Sequence, residues 1–193
     1  MVRGLRRYIM ARKESITIND ILNTGFEMAK EEGIRNVTAR KVAAKAGCST
    51  QPIFRVYKNM EELWTAVYGK ACECFEEFYR GFDKKSGTPF VDLGMAYISF
   101  AMKYKNLFLL LFVEDVGVGK SLYEVLNGTE GNVIKEINAA KNLGCSKPQD
   151  MFMRMWIFIH GAACMSLKGD YDLSLEETGK LLEESYNSFA ANL

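Results

Sequence analysis

Between Thr17 and Phe189 nearly every segment repeats its apolar residues at intervals of three and four, and none alternates convincingly as a strand. A chain with that pattern has only helix-on-helix packing open to it, so the expected fold class is all-α. Three prolines in 193 residues leave room for long helices. An apolar share of 48% is enough to fill a substantial core.

Helix boundaries can be read from end signals. Thr17 with Asp20 resembles a capping box, Ile18, Ile21, Leu22, Phe26 and Ala29 form one stripe, and Gly33 stops the helix. A short helix from Thr38 buries Val42, Ala43 and Ala46, and another starts at Ser49 with Pro52 in its first turn. Asn59 and Glu62 cap a long helix that runs through Phe78. Beyond the turn-rich stretch 81–89, helices are expected over 89–104, 106–114 and 120–141. Ser146 with Gln149, and Ser174 with Glu177, read as capping boxes for the last two helices, the second carrying Leu175, Leu182, Tyr186 and Phe189.

Charge divides the chain. Residues 1–58 hold 12 Lys/Arg against 5 Asp/Glu, a net +7, whereas residues 59–193 hold 13 against 19, a net −6. A basic end on an acidic body suits a protein of which one part meets a polyanion. Five cysteines without repeated spacing read as reduced thiols rather than a disulfide framework. The N-terminal MVRGLRRYIMARKE is basic but lacks an apolar signal stretch, and the strongest apolar run, Leu107 to Val113, is far too short to span a bilayer. The expectation is a soluble cytoplasmic protein without membrane partners.

The most informative stretch is VTARKVAAKAGCSTQPIFRVYKNMEEL, Val37 to Leu63. Two short helices meet at Ala46-Gly47-Cys48, where glycine suits a sharp turn, and that layout is a helix-turn-helix. Its second helix presents its first residues to a major groove. Thr38, Val42-Ala43, Ala46-Gly47-Cys48-Ser49, Ile53-Phe54, Tyr57-Lys58 and Glu61-Glu62-Leu63 together resemble the DNA-binding region of the tetracycline-repressor (TetR) family over about residues 12–68. The resemblance implies a three-helix DNA-binding domain over 1–58 and a larger helical regulatory and dimerisation domain over 59–193. Gln51 stands where the family often has glycine and brings a base-reading amide. Val56 and Met60 depart from the residues the family commonly has there.

The candidate DNA contacts are Thr38, Arg40, Lys41, Ser49, Thr50, Gln51, Phe54, Arg55, Tyr57 and Lys58. Arg3, Arg6, Arg7 and Arg12 form a basic arm suited to the backbone or a minor groove. By the family resemblance, an inducer site lies among the middle helices. The candidates for its walls are Phe75, Phe78, Tyr79, Met95, Phe100, Tyr104, Phe108, Leu111, Phe112, Trp156 and His160. They suit an apolar or aromatic small molecule, although any one of them is as readily plain core. The resemblance also implies a homodimer through residues 149–190.

The leading reading is a DNA-binding transcription regulator, a repressor released from its operator by a small apolar effector. A DNA-bound adaptor without a ligand is the alternative, and a helical enzyme acting on an apolar substrate is a remote one. No catalytic or metal-ligating constellation and no cofactor site is read. Cys72 and Cys74 are two apart on a helix and point different ways. Asp115 to Ser121 lacks the first glycine of a phosphate-binding loop. The lone histidine, His160, has no nucleophile or acid partner in motif context.

Overall fold

The computed structural model describes residues 16–117 and 119–193; the arm residues Arg3, Arg6, Arg7 and Arg12 lie outside the described residues. Ten α-helices and one 3-10 turn, and no strand, make up the described residues: α1 Ile18–Glu32, the turn Ile34–Asn36, α2 Ala39–Lys45, α3 Gln51–Val56, α4 Met60–Arg80, α5 Val91–Lys103, α6 Lys105–Phe112, α7 Leu122–Asn127, α8 Asn132–Asn142, α9 Pro148–Ser166 and α10 Leu175–Ala190. The expected all-α architecture, a helix-turn-helix end joined to a larger helical body, is what forms.

Local signals set most of the ends. Thr17 and Asp20 close a reciprocal capping box on α1, and Ser174 and Glu177 do the same on α10. Gly33 ends α1 at φ 86°, a value that costs glycine little. Three expectations are corrected. The helix expected over 120–141 is two helices, because Gly128 (φ 55°) and Gly131 (φ 70°) break it between α7 and α8. Ser146 does not cap α9: Lys147 holds the cap position, Pro148 opens the helix, and the Ser146 hydroxyl donates instead to the Leu193 carbonyl. Leu175 points outward from α10 rather than joining Leu182 and Tyr186 inside.

The body is organised around α5, which packs on α4, α6, α9 and α10. Gly94 lets α9 come close, since a Cβ at that position would sit 2.7 Å from Ile159 Cδ1 and 3.1 Å from Leu182 Cδ1. The N-terminus of α5 is held from α8. Phe90 takes a left-handed conformation (φ 67°), unusual for a bulky residue, and its N–H donates to Glu136 Oε2 at 2.7 Å. Burial pushes the Glu136 carboxyl above its ordinary value and nearby Asp92 adds to that, while the Phe90 hydrogen bond opposes it.

Gly94→Ala is expected to destabilise by about 1–3 kcal/mol through overpacking, whereas Gly69→Ala, on α4 with open space around it, should be neutral or stabilising. Denaturant midpoints check this, and equal midpoints for Gly94→Ala and the parent would refute the close-approach argument. The folded state holds the Glu136 proton more tightly than the unfolded chain does. Its contribution to stability therefore falls as pH rises from the ordinary carboxylate range through the raised value. Glu136→Gln keeps an acceptor for Phe90, so it should flatten that part of the pH–melting-temperature curve without lowering stability at neutral pH. An unchanged slope would assign the pH dependence to other groups.

Candidate nucleic-acid interface

The reading head is built on α1. Ile21, Phe26, Met28, Val42, Ala43 and Ile53 all belong to the buried core, and α2 packs on α1. The turn between α2 and α3 runs through Gly47 at φ 68°, and the Cys48 N–H returns to the Ala43 carbonyl at 2.9 Å. Thr38 caps α2 by accepting from the Lys41 N–H. The third helix begins later than the sequence suggested: Thr50, not Ser49, holds its cap position, without a side-chain cap, and Pro52 lies in the first turn. Pinned at Ile53, α3 exposes Gln51, Phe54 and Arg55, and Phe54 is 50% exposed despite its size.

The cations of this face differ in what they already hold. Lys41 Nζ donates to Asn36 Oδ1 at 2.9 Å and pairs with Glu32 at 3.3 Å, and Lys45 pairs with Glu31 at 2.7 Å. Lys58 reaches Glu62 only at 3.7 Å, with its side chain 89% exposed. Arg40 and Arg55 are exposed and make no ion pair among the described residues. Among the described residues, a phosphate therefore displaces no ion-pair partner at Arg40 or Arg55, and only a long, solvent-screened one at Lys58. Ser49 is exposed and Thr50 half-buried beside them. Tyr57 differs from the exposed candidates: its ring is buried in the core, and that burial raises its hydroxyl pKa.

Residues 21–67 match the family model for bacterial regulatory proteins of the tetR family. Those residues therefore form a DNA-binding helix-turn-helix of the tetR-family type. No curated protein matches the chain in sequence. In structure it is similar to a TetR-like transcriptional regulator from Rhodococcus sp. RHA1, at 13% identity and TM-score 0.63, over 91% of this chain and 96% of that one. It is also similar to the fatty acid degradation regulator FadR from Bacillus halodurans, at 12% identity and TM-score 0.56, over 91% and 95% of the two chains. At those identities the likeness establishes the shared fold.

In the body, most of the residues expected to wall an effector site pack on one another. Phe75 meets Phe100 at 5.1 Å and Phe112 at 5.2 Å between ring centroids, Phe78 meets Phe100 at 5.4 Å and Tyr104 at 6.0 Å, and Phe108 meets Phe112 at 5.2 Å. Their hub is Tyr97, which the sequence pattern did not single out. It lies 4.7 Å from both Phe112 and Trp156, and its hydroxyl is 2.8 Å from His160 Nδ1. Most of these pairs meet edge to face, while Phe108 and Phe112 are tilted at 45°. Leu111 and Phe112 also border a cavity of about 480 Å³ with Tyr68 and Lys120. Tyr79 and Met95 stand apart: Tyr79 lies under the Lys84 ammonium, and Met95 borders a groove against α10.

Contacts between the head and the body lacked any sequence signal. The Asn106 amide donates to the last carbonyls of α1, Lys30 at 3.1 Å and Glu31 at 2.9 Å. Arg35 pairs with Glu114 at 3.7 Å, and the Trp64 indole N–H donates to the Val37 carbonyl. Single asparagines and tryptophans carry no motif that would reveal such partners.

On this geometry Gln51→Ala should weaken a preferred DNA site more than random DNA, by about 1–3 kcal/mol for a lost base contact. Lys58→Ala and Arg40→Ala should weaken both alike. Titrations of each variant against specific and random duplexes check this, and an unchanged specificity ratio for Gln51→Ala removes its base-reading role.

Proposed function

We propose that the protein is a cytoplasmic homodimer whose two reading heads grip the half-sites of a DNA operator and that acts as a repressor released by a small apolar molecule. What carries the DNA reading is the helix-turn-helix, where Gln51, Phe54 and Arg55 of α3 and Arg40 of α2 stand exposed. Gln51 and Arg55 suit base edges or phosphates, and the Phe54 ring suits a thymine methyl. Residues 1–58 serve as the head and 59–193 as the regulatory body.

The dimer reading rests on α9 and α10. Met153, Ile157 and Met165 leave one side of α9 apolar and open, Ile157 being 66% exposed, beside a groove of about 580 Å³ walled by Phe158, Gly161, Tyr171 and Leu181. A two-fold pairing through residues 149–190 covers that face and sets the half-site spacing. Effector response draws support from α6. Its inner face lies among the aromatic rings, and its ends hold the head through Asn106 and, just beyond, Glu114. A molecule that parts the rings moves α6 and with it the contacts on α1. The close ring packing favours a second reading, an adaptor bound to DNA without a ligand.

Full-length protein titrated with its selected operator tests the proposal. If the paired heads neutralise 6–10 phosphates, affinity falls about 10³–10⁵-fold between 50 and 200 mM salt. Ile157→Glu should dissociate the dimer and abolish preference for paired over single half-sites. Salt-insensitive binding refutes the DNA reading, and a dimeric Ile157→Glu refutes the interface. Apolar metabolites that release operator decide for the repressor over the adaptor; binding that none of them alters decides for the adaptor.

A further inference from the structure

His160 and Cys164 lie one turn apart on α9, and His160 Nε2 is 3.5 Å from Cys164 Sγ. The other ring nitrogen is already held, since Nδ1 lies 2.8 Å from the hydroxyl of fully buried Tyr97. The ring is thereby oriented with Nε2 toward the thiol. A tetrahedral ion that takes an imidazole nitrogen at about 2.0 Å and a thiolate at about 2.3 Å keeps those two donors roughly 3.5 Å apart. A histidine fixed through its remaining nitrogen by a polar neighbour is the support that metal-ligating imidazoles have. Both side chains are half-buried, so the pair is reachable from the surface.

One chain supplies only these two donors. No group of three or more His, Cys, Asp or Glu positioned for a metal exists among the described residues. The position of the pair says where the rest come from. Met153, Ile157, His160, Cys164 and Leu167 follow one another at spacings of four, three, four and three, the repeat of a seam that faces a second helix. Cys164 is two turns from Ile157, the most exposed apolar residue of α9, and so on the same line.

We propose that His160 and Cys164 are half of a tetrahedral site for a thiophilic divalent ion such as zinc, completed by the same two residues of a second copy of this chain. The inference rests on the α9 pairing argued above. On binding, each Cys164 thiol releases its proton to solvent and binds as thiolate, and the neutral imidazole binds through Nε2. Because binding releases these protons, metal uptake weakens as pH falls. Tyr97 acts as a positioning residue through its hydrogen bond to Nδ1.

Cobalt(II) titration of metal-free, reduced full-length protein tests this, with sedimentation equilibrium run on the same metal-free sample. The expected result is a tetrahedral d–d spectrum with a thiolate charge-transfer band, saturating at one cobalt per two chains and displaced by zinc. Cys164→Ser should abolish the charge-transfer band, His160→Gln should weaken binding at least tenfold, and Tyr97→Phe should weaken it about 10–100-fold with the band retained. Circular-dichroism melts identify any variant that fails to fold, and Cys72→Ser serves as the cysteine control. A dimer that gives no tetrahedral spectrum, or one that Cys164→Ser leaves unchanged, overturns the metal site and leaves the dimer standing. A monomer in sedimentation overturns the dimer itself, and saturation at one cobalt per chain overturns the shared site.

Discussion

The close approach of α5 to α9 at Gly94 is the constraint on which the rest of the body depends. With no side chain there, Ile159 and Leu182 seat directly against the α5 backbone. Tyr97, three residues on, is then brought within ring contact of Trp156 on α9 and Phe108 and Phe112 on α6. A wider α5–α9 spacing would leave the Tyr97 hydroxyl without His160, and a buried unpaired hydroxyl is costly. One missing methyl therefore sets the geometry of the aromatic cluster and of the polar pair at its edge.

The same packing links the two ends of the molecule. The first turns of α4 lie on α1, where Gly25 admits Val67 and Leu63, and its later turns carry Phe75 and Phe78 into the ring cluster. Helix α6 makes a second link, apolar inward and tied to the end of α1 by Asn106. Helices α4 and α6 therefore join the head to the ring cluster by direct packing.

Much of the fold was legible because its signals are local. Capping boxes at Thr17 and Ser174 act within three residues, and the Gly47 turn needs only one backbone angle that glycine tolerates. The failures were also local signals, overruled from elsewhere. Ser146 has the residue type of a cap but donates to the Leu193 carbonyl instead, and the apolar periodicity over 120–141 runs through two glycines that take positive φ. Tyr57 matched the family's pattern in type, and only the fold shows that its ring is buried.

By itself the sequence determined the helical class, the place of the helix-turn-helix and the residues that α3 presents. Each of these follows from periodicity, capping and turn chemistry over a few neighbouring residues. The tertiary structure alone decided which cations are already paired, that Tyr97 is the centre of the rings, that Asn106 holds α1, and that His160 and Cys164 meet at 3.5 Å with Tyr97 behind them. Those facts join residues up to 76 positions apart, as Asn106 and Lys30 are. Partners at such separations are chosen by how whole helices pack, which no local pattern records.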